Sequence, residues 1–460
     1  MSIFNIDVKN IFTHYKQDFN VEQINKITYG EVRTDYSLIS AIFNLLPSNL
    51  FQNPHLKWFD PCCANGYFCI VLFYKLYYGL QHIIKDETKR KQHIIHNMLF
   101  MNEINSIHIP TLKSIFGENA NIYNYDYLNM NNIEVDIIIS NPPYNYGIVK
   151  TPTNNNVSKK NDGTSVWQKF IKKMVHQLND YDHLLTIIPS IWMKFNHPMY
   201  NFLTQFKIFK LHTMTNTETN NIFHKQAQTP TCYFHLQKKP TNDYIKLYDS
   251  KIHQYINYPI YHHIPVHSSS IIRKLIPYLK KFGSIKAFKT NVDPGIRSKR
   301  TTQSLFNTST FKFSTIKTCL LKNNIPILNI HYTDKACMYY NKKKLIFANK
   351  MYGFPFFDID GKYGISTRDN YVILNKTNKD FLKLQKLFYT KFIFYIFEAT
   401  RYRMKNLDIA AFDFIPNIIH LFTIDNINDY NLFQFFSLTE KEQHIVCNFF
   451  KKNIQIPSLI

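Results

Sequence analysis

Four consecutive residues, Asn141-Pro142-Pro143-Tyr144, close the strand-like stretch "DIIIS" at 136 to 140. Neither proline has an N–H, and each disfavours helix in the residue before it, so the segment is stiff and extended. Its carbonyls are then available as acceptors. The Asn141 side-chain oxygen and the Pro142 main-chain oxygen suit an exocyclic –NH2 group, with the flat face of Tyr144 beside them. An amine conjugated to a purine ring is a poor nucleophile, and accepting both of its hydrogens favours the pyramidal form that can attack. Two or three such hydrogen bonds, about 0.5 to 1.5 kcal/mol each, need help from alignment of the reactants, which supplies up to roughly 7 to 11 kcal/mol. The alternative is a proline-stiffened turn after a core strand.

Such a strand must sit in a sheet whose carboxyl edge faces a ligand. Up to about residue 240, short apolar runs alternate with amphipathic stretches. "NMLFMNE", "VDIIIS" and "HLLTIIPS" read as strands, and "SVWQKFIKKMVHQL" reads as a helix with Trp167, Phe170, Met174 and Leu178 on one face. The pattern predicts an α/β domain with a mostly parallel sheet over residues 1–240. The polar segment 151–165 reads as a loop. From 241 to 460 the character is mixed α+β, with a hairpin signal at Asp360-Gly361 and one long apolar helix expected from Phe381 to Thr400.

Charge points to the partner. The 460 residues carry 55 Lys and Arg against 32 Asp and Glu, a net charge of +23, which favours a polyanion. Residues 271–350 hold 17 basic and 2 acidic residues, and "NVDPGIRSKR" and "NKKK" read as exposed basic loops. Arg297, Lys299 and Arg300 are therefore candidate contacts to that polyanion. The seven cysteines lack paired C-x-x-C spacing, which indicates neither a disulfide framework nor a zinc site. Charges at Asp7 and Lys9, and the lack of an apolar run of about 18 residues, predict an intracellular protein without a membrane span. The expected location is the cytoplasm or, for a viral protein, the DNA-containing compartment of the infected cell.

In order along the chain, several motifs resemble the γ class of S-adenosylmethionine-dependent DNA adenine-N6 methyltransferases of restriction–modification systems. "YGEVRTDYSLISAIFNLLP" resembles the family's N-terminal cofactor motif, with Asp35 where proline is usual; the match assigns Thr34 to the methionine end of the cofactor. "FDPCCANGYF" resembles its glycine loop through Asp60, Pro61, Cys63, Gly66 and Phe68, with Ala64 replacing a common glycine. "LFMNEIN" ends a strand on Glu103, placed to accept from the ribose hydroxyls. "YNYDYLN" supplies Asp126 for the cofactor's adenine amino group and Tyr127 along its ring. "NIFHKQAQTPTCYFHLQK" resembles a later motif in which Phe223 is a second aromatic wall for the target base, a buried core Phe being the alternative.

The resemblance implies a Rossmann-like methyltransferase domain followed by a target-recognition domain. The implied reaction transfers a methyl group from S-adenosyl-L-methionine to N6 of an adenine flipped out of double-stranded DNA, without a metal. Asn141 to Tyr144 are the implied catalytic motif. A separately encoded restriction endonuclease is the implied counterpart. "KLIFANKMYGFPFFDIDGKYGIS", "LDIAAFDFIPNI" and "FSLTEKEQHIV" resemble pieces of target-recognition regions, and Thr439 and Glu442 have capping-box spacing. The competing classes are a methyltransferase acting on an RNA base or a protein glutamine, which also present conjugated amines or amides, and a catalytically silent DNA-binding subunit.

Overall fold

Nine strands form the sheet that carries the motif residues: β1 (Trp58–Asp60), β2 (Leu99–Asn102), β3 (Asn121–Tyr123), β4 (Ile137–Ser140), β5 (His183–Pro189), β6 (Phe206–Met214), β7 (Thr231–Pro240), β8 (Tyr244–Asp249) and β9 (Gln254–Pro259). Their order is β9-β8-β6-β7-β5-β4-β1-β2-β3. From β3 through β5 every pairing is parallel. The β1 and β4 strands are buried throughout, as parallel strands covered on both faces must be, and that is why they read as unbroken apolar runs. Strand β7 breaks the pattern, pairing antiparallel with both β5 and β6. A mixed, largely parallel sheet of the Rossmann-like kind results.

The structure is a computed structural model that describes residues 2–146, 164–225, 227, 229–241, 243–322, 325–349, 354–402 and 407–449. It separates into two compact units, one of residues 1–248 and 254–262 and the other of residues 249–253 and 263–460. Strands β8 and β9 continue the first unit's sheet beyond residue 240. Four helices matter to the site: α1 (Tyr36–Phe43), α2 (Tyr67–Gly79), α3 (Ile109–Phe116) and α4 (Trp167–Gln177). The apolar face expected of α4 is buried at Trp167, Phe170 and Met174, with Leu178 buried just beyond its end. Of the segment read as a loop, residues 151–163 lie outside the described residues, while 164–165 pair antiparallel with 145–146.

The second unit contains two four-stranded sheets and five helices of seven residues or more among its described residues. Three expectations need correction there. The single helix from Phe381 to Thr400 is two, Asn378–Phe388 and Lys391–Ala399, because the Thr390 hydroxyl accepts from the Ile393 N–H and caps a new helix start. Asp360-Gly361 makes a turn, with Gly361 at φ 69°, but not a hairpin. Strand 356–358 before it pairs with 344–346, whereas strand 364–365 after it runs parallel to residues 315–316 of another sheet. Finally, Lys344 of "NKKK" is buried against Asp358 at 2.5 Å, so that run is not wholly an exposed loop. The capping box at Thr439 forms: Glu442 Oε2 accepts from the Thr439 N–H at 2.8 Å, and Thr439 Oγ1 accepts from the Glu442 N–H at 3.3 Å. Among the described residues no helix is long and apolar enough to cross a membrane.

Candidate active site

Chain order reverses at β1, which lies between β2 and β4 with Asp60 opposite Met101 and Phe59 opposite Ile138. The carboxyl ends of these strands therefore place residues 61–66, Glu103 and Asn141 side by side, at the kind of crevice where open α/β sheets bind ligands. A cleft opens there. Of the residues singled out by sequence, it is lined by Thr34, Pro61, Cys63, Glu103, Asp126, Tyr127, Asn141 and Pro143. Asp60, Gly66, Pro142, Tyr144 and Phe223 are not on its wall.

The loop after β1 is held from several sides. Ala64 adopts φ 46°, a left-handed conformation that explains why glycine suits this position. Its N–H donates to Glu103 Oε2 at 2.8 Å, and the Asn105 N–H donates to Glu103 Oε1 at 2.8 Å. Each carboxylate oxygen keeps a further lone pair for a hydroxyl in the cleft. Burial raises the Glu103 pKa, against the lowering effect of these two N–H groups. Asn102, which sequence reasoning missed, ties the loop to the end of β3: its Nδ2 donates to the carbonyls of Pro61 and Tyr125, and its Oδ1 accepts from the Tyr125 N–H.

Asp60 and Gly66 act behind the wall. Asp60 accepts from the Cys62 N–H at 3.1 Å, and burial, with the nearby Glu103 charge adding to it, pushes its pKa up to about 8. Gly66, at φ 79°, starts α2 where an added Cβ would lie 2.9 Å from Leu112 Cδ2 of α3. That glycine serves the turn and the packing of two helices. Asp126 accepts from the Leu128 N–H at 3.0 Å and from Asn129 Nδ2 at 2.7 Å, while the Tyr127 hydroxyl donates to Gln177 Oε1 of α4 at 2.8 Å.

Opposite them, Asn141 Nδ2 donates to Thr34 Oγ1 at 2.9 Å. Gly30 makes this approach possible. An added Cβ there would sit 2.5 Å from the Asn145 carbonyl oxygen and 3.0 Å from Pro143 Cβ, and its φ of 66° also favours glycine. Asp35, in place of the proline expected from the resemblance, caps α1 by accepting from the Ser37 N–H at 2.7 Å. Glu31, another cleft residue that sequence reasoning missed, pairs with His108 at 3.1 Å and Arg33 at 3.4 Å. Burial alone would raise the Glu31 pKa, but these partners hold it below the usual carboxylate range. The only sequence signal for Glu31 is its place between Gly30 and Thr34.

Two aromatic assignments meet different surroundings. Phe223 is fully buried in the core, as in the alternative reading of that motif. The Tyr144 hydroxyl is buried with no hydrogen-bond partner among the described residues, while its carbonyl accepts from the Val166 N–H at 3.1 Å. In the second unit, Arg297, Lys299 and Arg300 are all exposed around a short helical turn, Pro294–Arg297.

Residues 34–223, which span this cleft from Thr34 to Phe223, match the model of a family described as Eco57I restriction-modification methylase. This segment is similar to that family. A curated relative from Mycoplasma pneumoniae, described as an uncharacterized adenine-specific methylase, is 24% identical over 31% of this chain and 50% of its own length. The chain thus spans about half the length of the curated relative it matches. Among solved structures, the type IIL restriction-modification enzyme MmeI in complex with DNA aligns over 90% of this chain and 69% of its own, at 12% identity and a TM-score of 0.43. A modification subunit of a putative type I restriction enzyme from Vibrio vulnificus aligns over 48% and 47%, at 13% identity and a TM-score of 0.35.

Proposed function

We propose that this Eco57I-type methylase segment, with the basic second unit, transfers a methyl group from S-adenosyl-L-methionine to the N6 amine of an adenine in double-stranded DNA. The observation that carries the reading is the placement of Asn141 at the end of β4, its Nδ2 held by Thr34, on the same cleft as Glu103 and Asp126. The cleft's donor set fits the cofactor. Glu103 would accept from the ribose diol and Asp126 from the adenine amino group, with Tyr127 and Phe170 supplying apolar wall. The bound cofactor supplies an electrophilic methyl group on a sulfonium.

What the chain's own residues do follows from their positions. With its Nδ2 engaged, the Asn141 amide presents Oδ1 as an acceptor, and the Pro142 carbonyl is the proposed second acceptor. Together they would draw the two amine hydrogens out of the purine plane and raise the nucleophilicity of N6. Tyr144 would support the base face; Phe223 fills that role less well because it is buried. Arg297, Lys299 and Arg300 would hold DNA phosphates, contacts that position a duplex without reading it. A separately encoded restriction endonuclease whose site the methylation protects is the proposed counterpart.

Single-molecule sequencing of DNA from cells expressing the chain tests this reading. N6-methyladenine in a fixed sequence context is the expected result. Unmodified adenine throughout would refute it.

A further inference from the structure

Leu305 and Phe306 are neighbours in the chain and both stand open to water, 66% and 75% exposed. They follow a short edge strand, residues 303–304, which pairs antiparallel with residues 332–333. Their loop takes its shape from its own polar groups. Ser304 Oγ accepts from the Phe306 N–H at 3.0 Å, Thr308 Oγ1 accepts from the Phe311 N–H at 3.0 Å, and the Phe311 carbonyl accepts from the Thr308 N–H at 3.2 Å. Burial of Leu305 and Phe306 therefore does not hold the loop in place.

The charge around the pair identifies what would cover it. From Arg297 to Lys312 there are four basic residues, Arg297, Lys299, Arg300 and Lys312, and no acidic one. All four are exposed. Arg300 lies five residues before Leu305, which limits their backbone separation to about 17 Å. An apolar pair preceded and followed in the chain by cations complements a surface with an anionic rim and an apolar, stacked interior. Duplex DNA is such a surface: apolar side chains enter between base steps while Lys and Arg hold the flanking phosphates.

We propose that Leu305 and Phe306 form an apolar wedge that inserts between adjacent base pairs of duplex DNA, anchored by Arg297, Lys299, Arg300 and Lys312. The inference rests on the reading of this protein as a DNA methyltransferase and adds a part to it. Opening the stack removes some of the stacking that otherwise opposes extrusion of a base. The wedge thus contributes to unwinding, whereas the cations contribute to affinity and its salt dependence.

The test uses the full chain, relaxed closed-circular plasmid and a topoisomerase, with protein–DNA occupancy matched between variants. A wedge unwinds the duplex, so the wild-type chain should lower the plasmid's linking number, and the double variant L305S/F306S should leave it at the value of plasmid alone. The variant should keep the wild-type salt slope of binding, because its phosphate contacts are intact. L305M/F306W, which keeps apolar bulk, should restore the unwinding. Both substituted residues are exposed, and circular dichroism checks that the fold is retained. Equal linking numbers for wild type and L305S/F306S overturn the proposal. Equal linking numbers together with a change in sedimentation would instead mark the pair as a protein-binding surface, which also overturns it. Methyl transfer to the same plasmid is scored separately. Methylation without unwinding removes the wedge and keeps the methyltransferase reading, whereas unwinding through these residues without methylation keeps the wedge and removes that reading.

Discussion

Asn141 Nδ2 donates to Thr34 Oγ1 across 2.9 Å, joining residues 107 positions apart in the chain. The bond fixes which end of the amide carries the acceptor. Thr34→Val keeps the shape but removes the hydroxyl, leaving the amide N–H without its partner. The expected result is a loss of about tenfold in kcat, equivalent to about 1.4 kcal/mol, because the freed amide can turn Nδ2 in place of Oδ1 toward the amine. Thr34→Ser should recover most of the rate. A purely cofactor-binding role for Thr34 predicts instead a raised KM for S-adenosylmethionine with kcat unchanged, and steady-state kinetics separates the two.

Glu103 and Asp126 should differ in what their loss does to the fold. Glu103→Gln puts an NH2 group against the N–H of either Ala64 or Asn105, so thermal unfolding should show a loss of about 1–3 kcal/mol along with weaker cofactor binding. Asp126 is only partly buried, and its contacts are confined to its own turn. Asp126→Ala should weaken cofactor binding in calorimetry with a smaller change in unfolding temperature. Unchanged cofactor affinity in both variants would remove these residues from the site.

Ala64→Gly should stabilise the protein. The left-handed conformation at φ 46° costs an alanine about 1 kcal/mol relative to glycine, a cost only partly offset by glycine's greater unfolded-state entropy. A small rise in unfolding temperature, with the Glu103 contact retained, is the expected outcome. A fall would show that the loop's conformation is not strained.

Asp60 supplies a pH test. Its folded pKa, raised to about 8 by burial, exceeds the ordinary carboxylate value near 4. Between those values the unfolded chain has released the proton while the folded chain retains it, so this group's contribution to stability is full below pH 4 and declines as pH rises toward 8. Asp60→Asn cannot titrate. The stability of D60N relative to wild type should therefore improve steadily from pH 4 to 8 in denaturant titrations, and a flat difference would mean that Asp60 is already ionised.

The sheet and much of the cleft were legible because their signals are local. "DIIIS" is apolar because β4 is covered on both faces, and Glu103 and Asn141 each stand directly after a strand. What escaped depends on distant partners or on side-chain geometry. Nothing beside Glu31 in the sequence reveals His108, 77 residues away. Phe223 could wall a pocket or fill a core, and its type does not distinguish the two. The break before Lys391 turns on the capping bond of Thr390 within an otherwise helical pattern. Lys344 looked like its exposed neighbours Lys342 and Lys343 until strand pairing brought Asp358 opposite it.

The central claim is that Asn141 activates an adenine amine in DNA. The most direct measurement incubates unmethylated duplex DNA and S-adenosylmethionine with the wild-type chain or with Asn141→Ala, digests the DNA to nucleosides and quantifies N6-methyladenine by mass spectrometry, with cofactor affinity measured in parallel. Wild type should produce N6-methyladenine, whereas Asn141→Ala should produce little or none while binding the cofactor with near wild-type affinity. Wild-type yields from Asn141→Ala, or no N6-methyladenine from the wild-type chain, would contradict the account.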